Sequence, residues 1–268
     1  MNNGSFEIFL KPKKKISVSM RNLAVNDTIA LIPAYNEEKT IEKVIKNTMK
    51  EKVHTVVIDD GSIDKTFKLA SKWKIPVFKN EKNLGKGAAI ERGQTEIIKD
   101  PNLLKSNVVT ILDGDSQYEL DRKELPPSIF NGEADIALGV RKKEDIPYFR
   151  HWIANRLWMA TFNLLFGYKD IHGNPIKDVC ALRAYSMKTF LNIDNFGSGY
   201  GGYVTETSIL VEAVKKDWKI DQFPVKVKYN EPSGVPRGIR MFLGIWIFLL
   251  KEGIPYSLKK LKRKIFGT

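Results

Sequence analysis

Asp113-Gly114-Asp115 places two carboxylates one residue apart. The small glycine between them lets the chain turn tightly, so both can face one hard divalent cation. Mg2+ and Mn2+ prefer oxygen ligands and keep waters or substrate phosphates beside one or two carboxylates. Gln117 follows closely. A second acidic loop, Asp59-Asp60-Gly61-Ser62, offers an acceptor for a base N–H or a ribose hydroxyl, although Asp-Gly is also an ordinary turn signal. A third, Pro33-Ala34-Tyr35-Asn36-Glu37, supplies a ring for stacking at Tyr35 and a hydroxyl acceptor at Glu37. Each loop is unremarkable alone. Together they read as a metal–nucleotide site, in which a cation bridging a diphosphate would neutralise charge growing on a departing nucleotide.

The segments before these loops are what must position them. Ile29–Ile32, Thr55–Ile58 and Val108–Leu112 are short apolar runs, the pattern of parallel strands buried on both faces. In open α/β sheets ligands bind outside the carboxyl ends of the strands, where all three loops would converge. Between the strands, Glu37–Glu51 reads as a helix with apolar positions Ile41, Val44, Ile45 and Met49, and a helix from Asp64 to Trp73 has Asp64 at its cap. Pro76–Lys79 reads as a strand, and Asn83-Leu84-Gly85-Lys86-Gly87 as a glycine-hinged turn opening a helix over Ala88–Lys99. Asp135–Gly139 completes a βαβα order with right-handed crossovers. In the second half, His151–Gly167 and Tyr203–Lys216 read as helices, and Val179–Tyr185 and Lys219–Tyr229 as strands. Asn230–Gly238 is a loop, and two terminal helical stretches follow, Ile239–Glu252 and Tyr256–Ile265.

Composition bounds the class. The chain has 268 residues, 43% hydrophobic and 10% aromatic, which is globular rather than disordered. Lys and Arg exceed Asp and Glu by 44 to 31, a net charge of +13, which favours polyanionic partners such as anionic lipid head groups or phosphorylated substrates. One cysteine, Cys180, excludes an intramolecular disulfide, and His54, His151 and His172 are too scattered for a zinc site. Residues 1–26, with a basic patch at Lys11, Lys13, Lys14 and Lys15, read as a flexible arm without a secretory core. The longest apolar stretch, Met241–Leu250, is too short to span a bilayer, which needs roughly 20 residues. Followed by Lys259, Lys260, Lys262, Arg263 and Lys264, it suits a helix lying in an anionic lipid interface.

Across residues 28–230 the four blocks Pro33–Glu37, Asp59–Thr66, Asn83–Gly87 and Asp113–Gln117 resemble the family 2 glycosyltransferases of the GT-A fold, nearest to polyprenyl- and dolichyl-phosphate sugar transferases. The resemblance implies an α/β fold with a mostly parallel Rossmann-like sheet flanked by helices, and amphipathic C-terminal helices. Residues 27–235 would form the transferase domain, with a nucleotide half to about 140 and an acceptor half from about 141, and residues 236–268 its membrane-side tail. It implies Pro33, Tyr35, Glu37, Ile58, Asp60, Lys86, Asp113 and Gly114 at a UDP- or GDP-hexose, and Asp113, Asp115 and Gln117 at Mg2+ or Mn2+. Arg141 would lie near diphosphate or sugar, Glu206, in Thr205–Leu210 ahead of Phe223-Pro224-Val225, would face the acceptor, and Asp178 would lie near it. The block Asp178–Arg183 departs from the family pattern by lacking its glycine, which bears on the acceptor more than on the donor; Asp178 is otherwise a strand-start residue paired with Arg183 or Lys177. The expected reaction is inverting transfer of a hexose to a lipid phosphate by a peripheral enzyme at the cytoplasmic face of an anionic membrane. A lipid phosphate needs positioning, whereas a hydroxyl acceptor needs a general base, for which Glu206 and Asp178 are the candidates.

Three other functions compete. A family 2 enzyme acting on a phosphorylated small molecule or a glycan shares every donor block. A sugar-1-phosphate nucleotidyltransferase would carry a glycine-rich basic loop after the first strand, where Pro33–Glu37 stands. A non-enzymatic membrane-surface or nucleic-acid-binding protein fits the charge, but acids at a cleft mouth repel a nucleic-acid backbone, and no nucleic acid is expected as partner.

Overall fold

All seven residues of the strand Thr28–Ala34 are buried, and successive side chains enter two different apolar cores. Ile29 and Leu31 join Val56, Ile58, Val109 and Ile111 on one face, while Ala30 and Ile32 join Val57, Ile41 and Ile45 on the other. Alternation across a two-sided sheet is why the run carries no polar side chain after Thr28 until the loop begins. The structure is a computed structural model and describes residues 5–10, 14–19, 28–146, 149–179, 182–197, 204–228 and 238–266.

In chain order the elements are β1 (Ser5–Leu10), β2 (Lys14–Ser19), β3 (Thr28–Ala34), α1 (Ile41–Lys50), β4 (His54–Asp59), α2 (Thr66–Ala70), β5 (Val77–Lys79) and α3 (Lys86–Lys99). There follow β6 (Val108–Ile111), α4 (Pro127–Asn131), β7 (Ile136–Arg141), α5 (Phe149–Phe166), β8 (Arg183–Ser186), α6 (Met187–Leu191), α7 (Thr205–Lys215), β9 (Ile220–Val225) and α8 (Gly238–Phe266). β3 to β9 form one sheet in the order β5-β4-β3-β6-β8-β7-β9. All its pairings are parallel except those of β8, which runs antiparallel to both neighbours. The carboxyl ends of β3, β4, β6 and β7 therefore share one edge with the amino end of β8.

Local chemistry sets the ends of these elements. β3 pairs with β6 only as far as Leu31 opposite Ile111, so Pro33 lies beyond that ladder and its missing N–H costs no bond there. α1 begins at Ile41, later than the expected Glu37, because residues 37–40 form a turn in which Thr40 and Ile41 donate to the Glu37 carbonyl. Its buried stripe is Ile41, Val44, Ile45 and Thr48; Met49 is exposed, and the Thr48 hydroxyl is satisfied by the Ile45 carbonyl at 2.9 Å.

Three other expectations differ from the structure. Where the sequence suggests a flexible arm, β1 and β2 pair as an antiparallel hairpin from Ser5 opposite Ser19 to Leu10 opposite Lys14; Lys11 and Lys13 lie outside the described residues. The strand expected from Val179 starts at Arg183, with Cys180 and Ala181 outside the described residues, as are Tyr203 and the greater part of the loop 230–238. The two terminal helices are one, α8, which continues through Pro255. Proline removes one helical hydrogen bond, but the turns around it are held against α5: the Tyr256 ring lies 5.3 Å from that of Phe166, and the Ser257 hydroxyl donates to the Leu165 carbonyl.

α5 buries Met159, Phe162 and Phe166 yet exposes Phe149, Ile153, Leu157 and Leu164. α8 buries Ile245, Phe248 and Leu249 and exposes Leu243, Ile247, Leu250, Ile254, Leu258, Leu261 and Ile265, a stripe at helical spacing. Among the described residues no helix is long and apolar enough to cross a membrane.

Candidate active site

Ala34 pairs with Asp59, so the loops after β3 and β4 leave the sheet at the same level. They are sewn together. Asn36, in a left-handed conformation at φ 57°, donates its amide to the Ser62 hydroxyl at 2.9 Å, while its side-chain oxygen accepts from the Ile63 amide at 3.0 Å. The Glu37 amide donates to the Thr66 hydroxyl at 2.7 Å, and the Glu38 amide to Asp64 at 3.1 Å. Asp64 also accepts from the Thr66 amide at 2.9 Å, but it stands one residue before Lys65, the N-cap of the shorter helix α2, which makes no side-chain cap bond. Tyr35 remains 41% exposed, a ring available for stacking.

Ile58 and Asp60 stand at the end of β4, deeper than Tyr35. The Ile58 side chain is fully buried in the core. Asp60, 3% exposed, accepts from the Asn80 side chain at 2.7 Å, the Gly85 amide at 2.7 Å and the Leu84 amide at 3.1 and 3.2 Å. Three donors thus engage the carboxylate, the Leu84 amide being shared between its two oxygens, and Asp60 anchors the Asn83–Gly87 turn. Asp59 holds the Ser62 amide at 2.6 Å.

That turn starts α3 with Lys86. Its ammonium lies 2.6 Å from Asp113 and 2.7 Å from Glu206 at the start of α7. Burial works against the charge of Lys86, but the two carboxylates outweigh it and hold its pKa above the ordinary lysine value. For Glu206 burial likewise pushes upward, and the opposing charges of Lys86 and Arg183 win, bringing it down to about 2. The close approach of α3 to α7 depends on Gly87, where a Cβ would sit 2.1 Å from the Phe196 carbonyl oxygen.

Asp113-Gly114-Asp115 packs directly on the β3 loop: a Cβ on Gly114 would meet the Ala34 Cβ at 3.1 Å and the Glu37 Cγ at 3.3 Å. Glu37 and Asp115 are the strained acids of the group. Burial, opposed by the Thr40 hydroxyl and reinforced by Asp115, Asp113 and Asp64, raises Glu37 to about 7. Burial and the charge of Asp113 raise Asp115 to about 6. Under-compensated negative charge of this kind is what a divalent cation relieves. Among the described residues no group of three or more His, Cys, Asp or Glu side chains is arranged to hold an ion unaided. The set fits a hard cation held by Asp113 and Asp115, with donor phosphates and water completing its shell. Gln117 donates its backbone amide to Asp115 at 3.0 Å.

Farther along the edge, Arg141 at the end of β7 grips Asp178 with its backbone amide at 3.0 Å, Nε at 2.8 Å and Nη2 at 2.8 Å. Asp178 is 1% exposed. The partner that holds it is thus Arg141, from β7. Arg183, opposite Ile111 on β6 and Leu138 on β7, instead faces Glu206 electrostatically. Asn80 and Arg183 are the members that motif reading gave no role in the site; the signals were a polar residue just after β5 and an arginine opening the short strand β8.

The mostly parallel seven-stranded sheet flanked by helices, with acidic loops at its carboxyl edge, is a GT-A-like fold. Residues 29–190 match the profile of glycosyl transferase family 2, and the chain belongs to that family. It is 36% identical over 213 residues to an uncharacterised protein of Methanocaldococcus jannaschii, covering 76% of this chain and 90% of that one. It is 29% identical over 252 residues to the UDP-N-acetylglucosamine–dolichyl-phosphate N-acetylglucosaminyltransferase of Methanococcus voltae, covering 83% and 95%. The fold matches glucosyl-3-phosphoglycerate synthase from Mycobacterium tuberculosis, solved with Mn2+, UDP and glucosyl-3-phosphoglycerate, with a TM-score of 0.63, 20% identity and coverage of 86% and 81%.

Proposed function

We propose that the protein transfers a hexose with inversion from a UDP- or GDP-sugar, bound with Mg2+ or Mn2+, to a polyprenyl (dolichyl-type) phosphate. The observation that carries this reading is the state of the two candidate bases. Glu206 is bonded to an ammonium and held at about 2, and Asp178 is clamped by Arg141 on three hydrogen bonds. Both carboxylates are engaged by cations rather than presented to a hydroxyl, and the acids raised toward neutral pH, Glu37 and Asp115, belong to the donor loops beside Asp113. An acceptor phosphate oxygen is already anionic and needs only to be held in line with the anomeric carbon. It forms the new C1–O bond as the bond from C1 to the nucleoside diphosphate breaks, and the electron pair leaves with the diphosphate. When bound, the cation would offset charge on that leaving group. Lys86 contributes a fixed positive charge beside Asp113, and Tyr35 a stacking surface for the base.

The likeness to an enzyme named for dolichyl phosphate supports the acceptor class. The exposed apolar stripe of α8, with Lys259, Lys260, Lys262, Arg263 and Lys264 toward its end, supports attachment to an anionic membrane, and we place the enzyme at the cytoplasmic face. We assign residues 27–140 to donor binding and 141–235 to the acceptor, with Glu206 reaching across to Lys86.

Thermal stabilisation by UDP, GDP, UDP-glucose and GDP-mannose, each with and without Mn2+, tests the donor site in wild type and Asp115→Ala. A metal-dependent shift for one base, lost in the variant, is expected; no shift with any of them defeats the reading. Transfer from the identified donor to a short polyprenyl phosphate, with 3-phosphoglycerate as the competing acceptor, then tests the acceptor. Preference for 3-phosphoglycerate would assign the enzyme to soluble substrates.

A further inference from the structure

Lys86 opens α3 and Glu206 lies in the first turn of α7, and the two helices meet at the carboxyl edge of the sheet. A lysine side chain is a compact charge on a flexible stem with many rotamers. A single bond to Asp113 would leave it free to swing about that oxygen. The second carboxylate, Glu206 Oε1 at 2.7 Å, fixes the ammonium from the opposite side. The backbone holds this arrangement as well, since the contact of Gly87 with the Phe196 carbonyl locks the first turn of α3 against the segment leading into α7. Behind Glu206 stands Arg183, so charges alternate from Asp113 through Lys86 and Glu206 to Arg183.

We propose that Glu206 is a positioning residue: it holds the Lys86 ammonium where the diphosphate of the nucleotide-sugar donor binds, and it is not the base of the transfer. This rests on the donor-site reading above. Glu206 comes from the acceptor half, so a residue there tunes donor affinity through the one lysine of the Asn83–Gly87 turn. A nucleoside monophosphate ends before the phosphate that Lys86 would meet, and its binding is therefore insensitive to Glu206.

The test is calorimetric binding of UDP, UMP, GDP and GMP, each with Mn2+, beside steady-state transfer to a short polyprenyl phosphate. Glu206→Gln keeps shape and removes charge. Glu206→Asp, Lys86→Arg and the pair Glu206→Asp/Lys86→Arg shorten one arm and lengthen the other. The Gln variant should lose about tenfold in affinity for the diphosphate of the preferred base, the size of one charge-assisted hydrogen bond, and less than about twofold for the monophosphate. Its donor KM should rise, its kcat fall less than about tenfold, and its pH–rate profile keep its shape. The double variant should regain diphosphate affinity lost by Glu206→Asp alone.

A fall in kcat of about a hundredfold or more, with diphosphate affinity intact and one limb of the pH profile gone, would make Glu206 the general base and overturn the proposal. Equal losses for mono- and diphosphate, with no recovery in the double variant, would reduce Glu206 to a structural role and overturn it too. A Gln variant that binds diphosphate as wild type does sinks this inference alone. Wild-type protein that binds no nucleotide sinks the donor-site reading with it.

Discussion

Replacing Lys86 by Met removes the cation shared by Asp113 and Glu206 and leaves Glu206 buried with Arg183 as its remaining cationic neighbour. The magnitude follows from Glu206, which is lowered from 4.5 to about 2 with Lys86 as the largest opposing charge to burial. At 1.36 kcal/mol per unit that is roughly 3 kcal/mol of native-state stabilisation, within the range measured when one member of a buried pair is lost. A domain of this size shifts by about 2–4 °C per kcal/mol, so the variant should melt roughly 6–12 °C below wild type at pH 7. A depressed carboxylate pKa adds stability that is complete above the unfolded value and is lost as pH falls toward the folded one. The gap between variant and wild type should therefore shrink by roughly 1 kcal/mol between pH 7 and pH 3.5. Thermal denaturation of nucleotide-free protein at both pH values measures it. Lys86→Met/Glu206→Gln removes both partners and should recover most of the loss, because no buried charge is left stranded. A single variant melting within about 2 °C of wild type, or a double variant no better than the single, would refute the claim that Glu206 and Lys86 stabilise one another.

Asp115→Asn should stabilise the nucleotide-free protein by up to about 3 kcal/mol at pH 7, since the carboxyl is raised from 3.8 to about 6 and is penalised once ionised; urea unfolding at pH 7 and pH 4 should show most of the gain only at the higher pH. Gly87→Ala should cost about 1–3 kcal/mol in urea unfolding, because the added methyl meets a backbone carbonyl that cannot swing aside. Ile247→Glu/Ile254→Glu changes two exposed positions on α8 and should leave the melting temperature within about 2 °C, while flotation with anionic vesicles falls at least about tenfold; unchanged flotation would remove α8 from the membrane contact.

The donor half was legible because buried parallel strands leave a strong mark: Thr28–Ile32, Thr55–Ile58 and Val108–Leu112 agree with β3, β4 and β6 to within two residues at either end. The acidic loops were legible for the same reason, being the first polar residues after each run. What a linear reading could not supply was who faces whom. Asp178 looked like a partner for its chain neighbours, yet its partner comes from β7, 37 positions away. Asp60 also accepts from backbone amides of a turn more than twenty residues on, a partnership its own loop does not announce. Pro255 argued for a helix break on local grounds, and packing against α5 overrode it. Charge pairing and tertiary override are properties of the folded sheet, and neither leaves a period in the sequence.

Within the seven-stranded sheet β8 alone opposes its neighbours, and this makes the chain between β7 and β8 a detour with both feet at one place. It departs after Arg141 and returns at Arg183, two positions on the same edge of the sheet, carrying α5 and Asp178 between them. Such an excursion can lengthen, shorten or change its surface without re-threading a single strand. Sheet order and the donor loops stay as they are while residues 142–182 are rewritten. The topology thus lets this excursion and the acidic loops at the sheet edge evolve at different rates.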